Sequence, residues 1–179
     1  NYRPKDDTST ASIYFREPRK LLICTGPPFE KERDIELAMT VHQFQGKKIV
    51  CGATTAEIVS RELGENIVDN FEFEDPDLPP TSTMKGVDLI TEGILTLGKV
   101  ANILRHFDSN SNLGRGPADQ IVQMLLESDE INIIIGTCIN IAHQDPTLPI
   151  ELEIRRTVVK RIAKLLEEKF LKEVYLKYL

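Results

Sequence analysis

A chain of 179 residues, 41% of them hydrophobic, is long enough for one domain with a buried core, and none of its apolar runs is long enough to span a bilayer. The formal charge of −6 and the sequence pI near 5.2 argue against nucleic acid as a partner, because phosphate backbones reward basic patches. Three widely spaced cysteines form no disulfide framework, and no lipidation motif or charged-then-apolar leader is recognisable, so a soluble protein of the reducing cytoplasm is expected, with no membrane contact.

The chain opens at Asn1 in polar turn residues, as a piece of something longer would, and Ala11 to Phe15 reads as a first strand. Pro18 interrupts and marks the best boundary, dividing residues 1–17 from 18–179. Leu21 to Cys24 is a more apolar strand. From Glu30 to Phe44, Ile35, Ala38, Met39 and Val41 fit the buried stripe of a helix. Lys48–Cys51 is the next strand and Thr55–Leu63 the next helix, with Gly64 as its left-handed terminator. Asn66–Val68 is a short strand, and the acidic, proline-containing stretch from Glu72 to Pro80 is surface loop. Asp88 opens a long helical stretch whose apolar set is Leu89, Ile90, Ile94, Leu95, Leu97, Val100, Ala101 and Leu104. A Ser/Asn/Gly-rich loop from His106 to Gly116 leads to a helix with Pro117 at its first position. Ile131–Ile135 is a strongly apolar strand, Glu151 to Phe170 a helix, and Glu173 to Tyr178 a final alternating strand. Strands alternating with helices predict an α/β fold: a mostly parallel sheet of about four or five strands flanked by helices, a Rossmann-like three-layer sandwich.

Three strand ends share one composition: Cys24-Thr25-Gly26, Cys51-Gly52-Ala53-Thr54 and Gly136-Thr137-Cys138. In parallel neighbours these tips would lie on one edge of the sheet, where backbone N–H groups and the hydroxyls of Thr25, Thr54, Thr55 and Thr137 could line a pocket for a small anion. Thr54 and Glu57 fit a capping box opening the second helix. Glycine and threonine are also what ordinary strand-to-helix turns are made of. The glycines do not follow the dinucleotide fingerprint, and no Gly-Lys-Ser/Thr phosphate loop is present.

Cys24, Cys51, Cys138 and His143 could make a four-ligand metal site only if their loops converged, and their spacing reads more simply as core cysteine. His42 and His106 read as structural or solvated. His143 lies just past a strand end and is the better acid/base candidate. Glu92, in Thr91-Glu92-Gly93, either faces the same crevice or caps the following helix. Arg115, between Gly114 and Gly116, is an exposed loop arginine or an anion clamp.

The run Pro4-Lys5-Asp6-Asp7-Thr8-Ser9, followed by Ala11–Phe15, resembles the end of the catalytic domain in type 2C-like, metal-dependent serine/threonine phosphatases, specifically the bacterial stage II sporulation protein E group. Thr25-Gly26-Pro27-Pro28, Val50 to Ala56, Thr91 to Gly98 and Ala142 to Pro146 resemble the carboxyl-terminal extension of such phosphatases in anaerobic bacteria, with Ala53 standing where many relatives have glycine. The resemblance implies that Asp6, with Asp7 beside it, belonged to a divalent-metal site (Mn or Mg) in a parent enzyme acting on a phosphoprotein substrate. Such a two-metal site needs carboxylates from several strands, so this chain alone is expected to be inactive.

Strand-end composition and resemblance together predict a regulatory or ligand-sensing domain whose ligand site comprises Thr25, Gly26, Gly52, Thr54, Thr55, Glu92 and Thr137. The alternatives are an independent small-molecule enzyme using Glu92 or His143 in that crevice, and an interaction module that holds a partner or forms a homodimer.

Overall fold

The computed structural model describes residues 7, 9–138 and 148–179, with only the backbone described for 148–152. Seven strands make one mixed sheet: β1 (Lys20–Thr25), β2 (Lys47–Cys51), β3 (Ile67–Asp69), β4 (Ser82–Met84), β5 (Val87–Thr91), β6 (Glu130–Ile135) and β7 (Glu173–Tyr178). Their order is β3-β4-β5-β2-β1-β6-β7. The five strands β5, β2, β1, β6 and β7 run parallel, and β4 pairs antiparallel with both β3 and β5. The expected α/β sandwich is present, extended at one edge by a hairpin.

Five α-helices are described: α1 (Asp34–Gln43), α2 (Ala53–Leu63), α3 (Ile94–His106), α4 (Pro117–Glu127) and α5 (Leu148–Phe170). Alternation along the strands separates two cores. Leu22, Cys24, Val50, Ile90 and Ile134 pack with Leu37, Val41, Ile58 and Val59 of α1 and α2. Leu21, Ile23, Ile49, Cys51, Leu89, Ile131, Ile133 and Ile135 face α3, α4 and α5. A strand buried on both faces has no polar alternation, which is why β1, β2 and β6 are legible as apolar runs.

The same physics corrects the reading of residues 87–93. Leu89 and Ile90 are adjacent and buried on opposite faces, so they belong to β5, in register with Ile49 and Val50 of β2, and the helix begins only at Ile94. The hairpin β4–β5 turns at Gly86, whose φ is 83°. In α1 the buried apolar residues are Leu37, Ala38 and Val41, whereas Ile35 and Met39 of the expected stripe are exposed. A 3-10 turn at Lys31–Arg33 precedes the helix, whose inner face follows the i, i+3, i+4, i+7 spacing of Asp34, Leu37, Ala38 and Val41.

The expected strand at 11–15 is absent. Ile13, Tyr14 and Phe15 are at least 80% exposed, and no strand pairs with them. The segment reaches the domain through Arg16, which with Arg19 pairs with Asp129 at the foot of β6. No helix among the described residues is long and apolar enough to cross a membrane.

Candidate functional site

The parallel strands follow the doubly wound order, in which β2 lies on one side of β1 and β6 on the other, and the switch point between β1 and β6 is where such sheets open a crevice. In this fold the chain itself fills it. The Gly136 N–H donates to Thr25 O at 2.9 Å and the Cys138 N–H to Pro27 O at 3.1 Å. A β-carbon built on Gly136 would lie 2.1 Å from the carbonyl oxygens of both Gly26 and Pro27, so only glycine allows this approach. The Thr137 N–H and Oγ1 both donate to Leu179 O, each at 2.7 Å. The tips of β1, β2 and β6 do lie together on one edge, as Thr25 pairs in register with Cys51 and Ile135. The N–H groups of Gly136, Thr137 and Cys138 are occupied by carbonyls and do not converge on a ligand.

An open cavity of about 460 Å³ lies one strand over, at the carboxyl ends of β2 and β5. Its walls include Gly52 and Ala53 at the start of α2, Glu92 and Gly93 before α3, Ser82 of β4, Pro79 and Pro80 of the loop, and Arg155 of α5. Two turns are stitched together beneath it by the Gly52 N–H, which donates to Thr91 O at 2.9 Å. The chain leaves β2 through Gly52 at φ 109°, a conformation closed to most side chains, and this starts α2 at Ala53.

The expected capping box is therefore not formed. Gly52 takes the N-cap position with no side-chain bond, and Thr54 and Glu57 are exposed residues inside the helix. Without a side-chain cap, the first turn of α2 keeps N–H groups and the positive end of the helix dipole beside the cavity. The first turn of α3, by contrast, has an acceptor: Glu92 Oε2 accepts from the backbone N–H of Leu95 at 3.1 Å and of Thr96 at 3.3 Å. The Glu92 carboxylate thus lines the cavity and caps α3 at once.

Of the ligand residues expected from sequence, the cavity brings together Gly52 and Glu92. Thr25 and Thr55 are 1% exposed, and Thr54 lies outside the lining. Gly26 is buried beneath Arg155, whose guanidinium would sit 2.7 Å from a β-carbon built there. Arg155 was not legible as a site residue, because nothing in a long charged helix marks which arginine returns to the strand ends. Ser82 was hidden in a strand of three residues.

His143 and Asp6 lie outside the described residues. Asp7 is exposed, and among the described residues no group of three or more His, Cys, Asp or Glu side chains could hold a metal ion. The described carboxylates therefore do not by themselves fit a two-metal centre. Cys24 and Cys51 lie fully buried in different cores, on opposite faces of the sheet, which separates them as ligands. Burial pushes the Cys51 thiol up to about 12 and raises that of Cys24 as well, so both stay protonated at neutral pH. His42, His106 and Arg115 are exposed.

The cavity lies within the usual size range of small-molecule sites. Its described wall carries one guanidinium, one carboxylate and an uncapped helix N-terminus, and the Ser82 hydroxyl on it donates to Asp69 Oδ1 at 2.7 Å. The guanidinium and the helix N-terminus suit binding a small polar or anionic molecule. Compared with protein-family models, curated proteins and solved structures, the chain matches none.

Proposed function

We propose that this chain is a ligand-sensing regulatory α/β domain attached to a metal-dependent serine/threonine phosphatase of the stage II sporulation protein E type, and that alone it lacks phosphatase activity. The observation that supports the sensing role is the cavity at the ends of β2 and β5, with Arg155 facing it beside the uncapped start of α2. A small carboxylate or phosphate there would lie beside the Arg155 side chain and the helix N-terminus together. The phosphatase assignment rests on the sequence resemblance of Asp6-Asp7 and of the strand-end motifs. In this reading the parent enzyme is bacterial and cytoplasmic, holds its Mn or Mg with carboxylates upstream of this chain, and acts on a phosphoprotein.

Thermal-shift titration with inorganic phosphate, small carboxylates and nucleotides tests the sensing role. Stabilisation that saturates and is lost in Arg155→Gln is expected, and the absence of any response would reject it. Hydrolysis of p-nitrophenyl phosphate by the chain with manganese present tests the inactive-domain reading. Metal-dependent turnover would reject that part.

A further inference from the structure

The two edges of the sheet are built differently. At one edge, β3 has three residues and β4 pairs irregularly with β5. Short, irregular edges are a common defence against pairing with another chain. At the other edge, β7 has six residues without proline or glycine and holds unbroken parallel register with β6 from Glu173 to Tyr178.

Its hydrogen-bonding groups are sorted by parity. The N–H groups of Glu173 and Leu179 donate inward, to Asp129 O and Ile135 O. Odd-numbered residues of β7 therefore bond β6, and the N–H and C=O groups of Val174, Leu176 and Tyr178 point outward from the sheet. Tyr175 and Tyr178 are 54% and 40% exposed. Side chains are sorted too: Val174 and Leu176 pack toward α5, whereas Glu173, Tyr175 and Lys177 lie on the opposite face.

We infer that β7 pairs antiparallel with β7 of a second copy, about a two-fold axis through Tyr175, joining the two sheets edge to edge. Three constraints select this register. A two-fold axis normal to the sheet keeps each side chain on its own face, so residues of like parity must oppose. The outward groups of Val174 then bond those of Leu176 in the other copy, as a hydrogen-bonded antiparallel pair requires. On the opposite face, Lys177, which bonds Glu36 of its own chain at 2.8 Å, meets Glu173 of the second copy as well, twice by symmetry, and Tyr175 meets its own counterpart in the close, non-hydrogen-bonded position. Moving the axis by one residue opposes Glu173 to Tyr175 or Tyr175 to Lys177 and loses both charge pairs. The occupant of this edge is another copy of the chain because the edge is complementary to itself.

Sedimentation velocity over a series from micromolar to sub-millimolar concentration measures the assembly. The expected result is a concentration-dependent species of twice the 20.3 kDa chain mass. Because Lys177 also bonds Glu36 of its own chain, the swaps are made in a Glu36→Gln background: there Glu173→Lys and Lys177→Glu each place like charges opposite one another and should weaken the dimer by about tenfold, and the double swap should restore it. Circular dichroism confirms that each variant is folded. In a Cys138→Ser background, Tyr175→Cys should cross-link as a disulfide dimer under mild oxidation, because the Cα atoms of a non-hydrogen-bonded pair lie about 4.5 Å apart, within disulfide reach. A monomer at every concentration overturns the inference. So does a dimer indifferent to the charge reversals, or one in which Tyr175→Cys fails to cross-link.

Discussion

Gly136 is seated against Gly26 so closely that a β-carbon on Gly136 would lie 2.1 Å from the Gly26 carbonyl oxygen. This contact joins the turns after β6 and β1 and closes the place where a doubly wound sheet ordinarily receives its ligand. The cavity opens instead between β2 and β5, where a pair of glycines, Gly52 and Gly93, leaves the turns without side-chain bulk. One edge of the sheet thus holds both a sealed crevice and an open one.

Gly136→Ala forces two backbones apart and should cost at least about 1–3 kcal/mol, the usual range for overpacking. Gly52→Ala meets only Thr55 Oγ1, at 3.5 Å, but keeps an unfavourable φ of 109°. Its cost should be on the order of 1 kcal/mol, from backbone strain alone. Urea denaturation of both variants checks the order; an equal or reversed ranking would contradict the sealed crevice.

Glu92 caps α3 through its side chain. Glu92→Ala removes the acceptor for Leu95 and Thr96 and should lower stability by about 1 kcal/mol, as cap losses do. Hydrogen exchange should quicken at the first turn of α3 and leave α2 unchanged. Faster exchange across the whole sheet would mean that the carboxylate does something other than cap.

How much of this the sequence carried depends on the element. β1, β2 and β6 are consecutive apolar residues and β7 alternates, and these patterns survive folding unchanged. β5 escaped because Leu89 and Ile90 continue smoothly into the helical spacing of Ile94, Leu97, Val100 and Leu104, and only pairing with β2 separates strand from helix. Thr54 and Glu57 have capping-box spacing, yet the helix start is fixed by where Gly52 lets the chain turn. For the candidate site, Gly52 and Glu92 were legible from the strand ends. Arg155 and the seal at Gly136 were not, because both depend on distances between turns far apart in sequence.

The cysteines give a chemical check on the two cores. Cys24 is on the α1/α2 side and Cys51 on the α3–α5 side; both are fully buried with raised thiol pKa, whereas Cys138 is half-buried. Thiolate is the reactive form. Native protein at mildly alkaline pH should therefore react with a disulfide reagent at Cys138 alone, and all three thiols should react in denaturant. Rapid native labelling of Cys24 or Cys51 would show that its core opens readily.

The bridge from α1 to the edge strand supplies a pH dependence whose sign is fixed. Glu36 accepts from Arg33 at 2.9 Å and from Lys177 at 2.8 Å, and these two bonds, the arginine first, lower its pKa from 4.5 to about 2. A carboxylate lowered in the folded state binds its proton more readily when unfolded, so acid favours unfolding. Its contribution is complete above about pH 4.5 and fades as the pH falls toward about 2. Asp129, held well below the usual carboxylate range first by Arg16 and then by Arg19, adds a loss of the same sign on further acidification. Urea midpoints of the chain and of Glu36→Gln should differ at neutral pH and converge on acidification. Added salt should shrink the neutral difference, because Glu36 and Lys177 are both accessible to solvent. A gap that widens toward low pH would reverse the assignment and show that Glu36 is held in its protonated form.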